Sequence, residues 1–261
     1  MTDVIRAELT KLVRRSALLA AAIGAILFAA VASVAVFLSA GAGGAPAGRG
    51  ATLASLAEPG GGSEAFALGV SFTGLLVLVT FIANFTGEIS RGTFRTLLMR
   101  EPRRLRLLAG KMTALLIFAA LVLAAAGGLT WIASLSLAPS QGVSTSEWFT
   151  LGALGDNLAD YGTALLTVGG WAVLGMALGV IVGSTPLALG VGVAWAGPFE
   201  HLTEDAWSAA DDWFPGLLLE TLAAGGTGEV SLSRALLLVG VYAGAAAALA
   251  ALVFRRRDVT A

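Results

Sequence analysis

Cysteine and histidine, two residue types that often carry catalysis or bind metals, are nearly absent from this sequence. Among its 261 residues it has no cysteine and a single histidine, His201. Thiol chemistry, disulfides and cysteine-based metal sites are therefore excluded. His201 lies beside Glu200, Glu204 and Asp205, which is either a weak signal for a metal or pH-sensing site or, more simply, the polar cap of a loop. The sequence predicts no metal site and no cofactor bound by this chain.

Glycine-rich stretches also fail the patterns that bind nucleotides. The Gly110-Lys111 pair is followed by Met112, and Leu105 stands where a phosphate loop requires glycine. That motif needs both residues because its backbone N–H groups and its lysine hold the phosphates. The run GAGGAP at 41–46 has proline where the dinucleotide fingerprint has its third glycine. With no cysteine, histidine or paired-carboxylate constellation available, the chain is predicted not to be an enzyme.

Charge is instead concentrated in one short segment, EISRGTFRTLLMREPRRLRLLAGK at 88–111. It carries nine charges in 24 residues, including seven of the sixteen Lys and Arg of the chain. Phe94, Leu97 and Leu98 fall at the i, i+3, i+4 spacing of one helical face, and Pro102 ends the helix. The pattern predicts a two-turn amphipathic helix. Its other side presents three basic residues: Arg91, Arg95 and Arg100.

The elements that must position this segment are long apolar stretches. Only 13% of the residues are charged and the mean hydropathy is +0.85, whereas soluble domains carry about 25% charged residues. Uncharged windows of 20 residues or more are long enough for a helix to cross a bilayer. The sequence predicts an all-α polytopic membrane protein, a single transmembrane domain over 1–261. Six spans are predicted: 16–39, 65–86, 111–137, 161–183, 185–199 and 235–254.

The first and fifth predicted spans are unusual in length. The first span, at 16–39, is longer than the h-region of about 7–15 residues in a secretory signal, so we expect it to be retained as a transmembrane helix. The fifth is short for a full crossing and is bracketed by Pro186 and Pro198. The apolar stretch 213–224 that follows predicts an outer re-entrant hairpin over 200–233, which is tolerable only where protein shields its backbone.

The distribution of Lys and Arg predicts the orientation. Fourteen of the sixteen lie before the first span, between the second and third spans, or after the sixth. Because basic residues stay on the cytoplasmic side, both termini and the 88–110 loop are predicted to be cytoplasmic. This requires an even number of spans. The abundance of Ala, Gly and Arg favours a bacterial source, so we expect a multi-pass protein of the bacterial cytoplasmic (inner) membrane.

The segment 1–15 predicts an amphipathic helix in the membrane interface, with basic residues near lipid headgroups. Its apolar residues share one face: Val4, Ile5, Leu9, Leu12 and Val13. Glu8 interrupts this face. It either pairs with Lys11 one turn away or forms a salt bridge to an arginine of the 88–111 segment.

These stretches resemble the type 2 ABC transporter permeases, the membrane-spanning subunits of ABC exporters. EISRGTFRTLL (88–98) with PRRLRLLAGK (102–111) is similar to the first cytoplasmic loop of that family. AELTKL (7–12) is similar to its amphipathic N-terminal helix, and the six spans extend the resemblance over essentially the whole chain.

The resemblance implies an efflux function without an ATPase site in this chain. The loop would form a coupling helix, 91–100, that docks into a separate ATPase subunit, which binds ATP and Mg. A second permease, identical or homologous, would complete the transporter, in contact with membrane lipid. The implied coupling residues are Glu88, Arg91, Gly92, Thr93, Phe94, Arg95, Leu97, Leu98 and Arg100.

Other observations leave alternatives open. Gly175, Gly179 and Gly183 recur every four residues in the fourth span, which favours close helix packing within the chain or at a seam between two copies. The interiors of the longer spans hold no ionisable residue, which argues against a proton- or sodium-coupled carrier. The alternative function is a polytopic assembly or signalling protein whose basic loop binds lipid or a regulatory partner. Nucleic acid is not expected as a partner.

Overall fold

The computed structural model describes residues 2–42, 51–100, 103–207, 209–227 and 230–256, without the side chains of 94–96, 100 and 205. All regular secondary structure in these ranges is helical. Five helices are long and apolar enough to cross a membrane, as expected from uncharged windows of this length. The protein is therefore an all-α membrane protein, as predicted.

The long helices are separated by short ones. In chain order the helices are α1 Thr2–Leu12, α2 Arg15–Gly41, α3 Leu53–Leu56, α4 Gly61–Ser90, α5 Thr93–Arg100, α6 Arg104–Leu137, α7 Leu151–Val182, α8 Thr185–Ala194, α9 Glu200–Ala206, α10 Pro215–Ala223 and α11 Leu232–Arg256. Three 3-10 turns cover Ala138–Gln141, Ser146–Phe149 and Ala210–Asp212. The five candidate spans are α2, α4, α6, α7 and α11, with the 3-10 turn after α6 included.

The fifth predicted span corresponds to α8 and a π-helical turn, Trp195–Phe199, that contains Pro198. Helix α9 follows this turn directly, so helical structure is continuous from 185 to 206. A π turn widens the helix by one residue and suits a proline, whose missing N–H breaks the α pattern. The ten residues of α8 alone are too few to span a bilayer. A full crossing here stays a prediction.

Helices α4 and α7 form the centre of the bundle. A Cβ atom at Gly175 would lie 2.8 Å from the Leu78 carbonyl oxygen, and one at Gly179 would lie 3.2 Å from Cβ of Phe85. Both glycines therefore let α7 approach α4 closely, within the chain. Gly183 has a different role, since it ends α7 with a φ of +70°.

Two ends of the bundle can be told apart. At the basic end, the start of α6, the ends of α4 and α11, and α5 surround a cluster with Phe85, Leu107 and Phe254 at its centre. At the acidic end, a cluster around Leu56, Val143 and Trp148 joins α2, α4, the end of α6, the segment around α3 and the loop before α7. Helices α2, α4, α6 and α7 run between these ends in alternating directions, whereas α11 ends at the basic end, as α7 does.

The helices extend beyond the apolar windows that define the predicted spans. Helix α7 begins at Leu151, ten residues before the predicted 161, and α6 begins at Arg104 rather than Lys111. The charged residues in these extensions, such as Asp156 and Asp160, are compatible with a helix but not with an apolar window. Hydropathy therefore locates the apolar part of each helix and not its end.

Candidate functional site

The candidate site lies at the basic end, where α4 gives way to α5. Helix α4 ends at Ser90, and Gly92 then has a φ of +69°, a left-handed conformation that glycine adopts without strain. The Arg91 Nε atom donates to the Gly87 carbonyl at 2.9 Å, and Thr93 Oγ1 donates to the Glu88 carbonyl at 3.0 Å. These contacts fix the turn between the two helices.

Helix α5 has two unlike sides. Leu97 and Leu98 are half-buried against the cluster that contains Phe85 and Leu107. Arg91, Gly92 and Thr93 at the turn before it are exposed, and so is Met99. Leu97 and Leu98 therefore lie on the buried side, as expected for the predicted apolar face, whereas the predicted basic face is described only through Arg91. The side chains of Phe94, Arg95 and Arg100, and the whole of Pro102, lie outside the described residues.

Four charged residues, two of them buried, meet beneath this turn. We name them the charge cluster: Glu8 and Lys11 of α1, Glu88 of α4, and Lys111 of α6. Lys111 Nζ lies 2.9 Å from Glu88 Oε1 and 3.3 Å from Glu8 Oε2. Lys11 Nζ lies 3.3 Å from Glu88 Oε1 and also pairs with Glu8. The cluster joins three helices that are distant in sequence.

Burial makes Lys111 the centre of the charge cluster. Its side chain is only 2% exposed and that of Glu8 is 5% exposed, whereas that of Lys11 is 41% exposed. Nζ of Lys111 also lies 5.5 Å from the centroid of the Phe85 ring, in cation–π range. Two acids and two bases leave no net charge. A buried charge is tolerated when it is paired in this way, and losing one partner costs about 3–5 kcal/mol.

Lys11 is the solvent-facing member of the charge cluster. Although partial burial lowers it, the hydrogen bond and charge of Glu8, with the charge of Glu88, raise the pKa of Lys11 above its ordinary value. Lys11 therefore stays protonated throughout the neutral range.

The first alternative for Glu8 occurs, since it pairs with Lys11 of its own helix. Glu8 also reaches the 88–111 segment, but among the described residues its partner there is Lys111 rather than the predicted arginine. The central role of Lys111 was missed by sequence reasoning. The available signal was Glu8 itself, an acid on an otherwise apolar helical face, which requires a buried cation nearby.

The C-terminal helix also reaches the basic end. Arg104 at the start of α6 donates from Nη1 to the Phe254 carbonyl at 3.3 Å. Thr185, at the start of α8, donates from Oγ1 to Oγ1 of Thr86 on α4 at 2.9 Å. The end of α4 therefore contacts α1, α6 and α8 directly, and α6 in turn contacts α11. A displacement of the α4–α5 turn would be transmitted to these helices.

A second buried acid lies away from the basic end. Glu200, the first residue of α9, is only 1% exposed. Its Oε2 atom accepts the backbone N–H of Leu217, in the first turn of α10, at 3.1 Å. A Cβ atom at Gly216 would lie 2.1 Å from this oxygen and 3.0 Å from the Trp171 ring of α7. Only glycine lets α10 approach the carboxylate this closely.

The acidic neighbours of His201 raised the alternative of a metal or pH-sensing site. Its Nδ1 atom lies 2.8 Å from the Gly197 carbonyl oxygen, and its Nε2 atom lies 3.4 Å from Oε1 of Glu220. In the part of the chain that the structure describes, no three His, Cys, Asp or Glu side chains form a group able to hold a metal ion. His201 instead links α9 to α10.

Comparison with protein-family models identifies a family to which most of the chain matches. The model of a family described as a protein of unknown function, DUF2705, matches residues 17–193. This region runs from the start of α2 almost to the end of α8 and includes the α4–α5 turn. No curated protein matches the chain.

Proposed function

The chain belongs to the DUF2705 family, and we propose that it is the permease subunit of an ATP-driven exporter similar to the type 2 ABC transporters. In this proposal it forms the pathway for an exported substrate in a bacterial cytoplasmic membrane. It crosses the membrane six times, with both termini and α5 in the cytoplasm. ATP and Mg bind to a separate ATPase subunit, and a second permease, identical or homologous, completes the complex.

The charge cluster is the observation that carries this proposal. A basic loop that only set the topology, or only attracted anionic lipid, would need no buried link to other helices. Here the turn before α5 is tied through Glu88 and Lys111 to α6, and through Glu8 to α1. These ion pairs would allow a force applied at the α4–α5 turn to be transmitted to α1 and α6.

The division of α5 into two sides supports the same mechanism. Arg91, Gly92 and Thr93 are exposed at the turn and available for a partner, while Leu97 and Leu98 pack against the bundle. A partner that pushes on the turn would displace the ends of α4 and α6 together. Packed helices respond to such a displacement by shifting between discrete arrangements, which is how the pathway would open alternately to the two sides.

Co-purification with the ATPase tests this proposal. The partner is expected to be encoded beside this chain and to contain a phosphate-loop motif. In detergent or nanodiscs, the wild-type chain should retain it, and the pair Arg91→Glu and Arg95→Glu should lose at least about 1.4 kcal/mol of binding, or tenfold in affinity. The matched control is Arg255→Glu with Arg256→Glu, two exposed arginines at the end of α11.

The result also separates the proposal from its alternative. Retained ATPase binding and turnover in the Arg91/Arg95 pair would count against docking through α5. Binding of the wild-type chain to anionic vesicles, with no ATPase partner at all, would favour an assembly or signalling protein instead. Equal losses in the control pair would show an effect of net charge rather than of the α5 surface.

A further inference from the structure

Glu200 is the more deeply buried of two described acids, Glu200 and Asp211, that the proposed coupling mechanism does not use. Its carboxylate is 1% exposed and lies at the N-terminal end of α10, where backbone N–H groups attract negative charge. No lysine or arginine forms an ion pair with it among the described residues. The position at the helix N-terminus therefore favours the charged form of Glu200, whereas burial disfavours it.

Burial has the larger effect. It raises the pKa of Glu200 to about 7, although the hydrogen bond from the Leu217 N–H lowers it. The charged neighbours reinforce burial, because Glu220 of α10 adds a like charge. On α9 itself the titratable neighbours are His201 and Glu204.

Helices α4 and α7, which pack against α10, contribute no charge at this position. Helix α4 has no ionisable residue between Glu64 and Glu88, and α7 has none after Tyr161. The residue of α7 that lies beside Gly216 is Trp171, which does not titrate. The 3-10 turn just before α10 carries two further acids: Asp211, which is 6% exposed, and Asp212, which is paired with Arg234 of α11 at 3.2 Å.

We propose that Glu200 is a proton-binding site that links the docking of α10 to pH. When α10 lies against α7 and α4, Glu200 is enclosed and holds a proton readily; when α10 moves away, the carboxyl reaches water and gives the proton up. Docking thus takes up a proton, and release of α10 returns it to the compartment that the α9–α10 segment faces. The site is independent of the ATPase and of the identity of the substrate.

The sign of the pH effect follows from linkage. An acid with a raised pKa in the docked state stabilises that state below its exposed pKa, and this stabilisation is lost as pH rises through the docked value. With an ordinary value of 4.5 and a docked value of about 7, α10 should be held most firmly in acid and should loosen between these two values.

The absence of cysteine allows a direct test with the full chain. Thr221→Cys places one thiol on the buried side of α10, at a residue that is 3% exposed. Its maleimide reaction rate is divided by that of Ser140→Cys, an exposed position, to remove the pH dependence of the thiol itself. We expect this ratio to rise at least about tenfold between about pH 5 and about pH 8.

Two variants assign the effect to Glu200. Glu200→Gln is permanently neutral and keeps a carbonyl for the Leu217 N–H, so the ratio should stay at its low, acid value at every pH. Glu204→Gln, on the same helix, should keep the wild-type pH dependence. If the Glu200→Gln variant does not fold, Gly216→Ala provides the second test, because its methyl group would force the carboxylate and α10 apart. This variant should react at pH 5 as fast as the parent does at pH 8.

Three outcomes would overturn the proposal. They are a ratio that is constant between pH 5 and pH 8, a ratio that falls as pH rises, and a pH dependence that persists in the Glu200→Gln variant. A low ratio at pH 5 in Gly216→Ala would also contradict it.

Discussion

At the scale of single residues, the molecule places its few buried charges where helices meet. Lys111 has two carboxylates within 3.3 Å, from α1 and α4. Sequence alone marked Glu8 as anomalous because it interrupts an apolar face. It could not identify Lys111 as the partner, since the two residues are 103 positions apart in the chain and spacing carries no information over that distance.

Lys111→Met tests the importance of this residue. Methionine keeps the length of the side chain but leaves Glu8 and Glu88 buried without their shared cation. The free energy of unfolding should fall by about 3–5 kcal/mol, measured by denaturant titration in detergent.

Two further variants show whether the lower free energy of unfolding of Lys111→Met comes from the buried position of Lys111. Lys11→Met removes the more exposed cation and should cost no more than about 1 kcal/mol. Glu8→Gln combined with Lys111→Met should recover part of the stability, because one uncompensated charge is then removed. Equal losses for Lys11→Met and Lys111→Met would contradict a central position for Lys111.

At the scale of elements, the amphipathic pattern of α5 and the apolar windows of the long helices were readable from sequence, because both follow from helical periodicity. Helix ends were not. The start of α7 at Leu151 depends on continuing backbone hydrogen bonds through charged residues, which hydropathy does not report. Glu200 was also misread, as part of an exposed polar cap, because its burial depends on α10 folding back over it.

The packing of α7 on α4 predicts opposite effects for two glycines of the same helix. Gly175→Ala would press a methyl group against the Leu78 carbonyl and Phe81, and it should lower the unfolding free energy by about 1–3 kcal/mol. Gly169→Ala meets nothing within 4 Å and should raise it by up to about 1 kcal/mol through helix propensity. Thermal unfolding of both variants checks this. A stabilising Gly175→Ala would mean that α7 does not lie this close to α4.

At the scale of the whole molecule, composition and uncharged windows were enough to predict an all-α membrane protein, because crossing a bilayer imposes such strong constraints on a chain. The number of crossings is harder to predict, since α8 is short and its continuation passes through a π turn. Single cysteines introduced at either terminus should react with an impermeant reagent only from the cytoplasmic side. A cysteine introduced in place of Ser140 should react only from the opposite side. Labelling of the two termini from opposite sides would exclude six spans.

The exporter proposal is tested most directly by photocrosslinking in native membranes. A photoreactive residue is placed at Met99, which is 74% exposed on α5, and a matched control at Leu151, which is 89% exposed at the acidic end. The account predicts that Met99 crosslinks to an ATPase subunit with a phosphate-loop sequence, identified by mass spectrometry, and that Leu151 does not. Crosslinking of Met99 to lipid alone, or equal capture of the ATPase from both positions, would contradict a coupling role for α5.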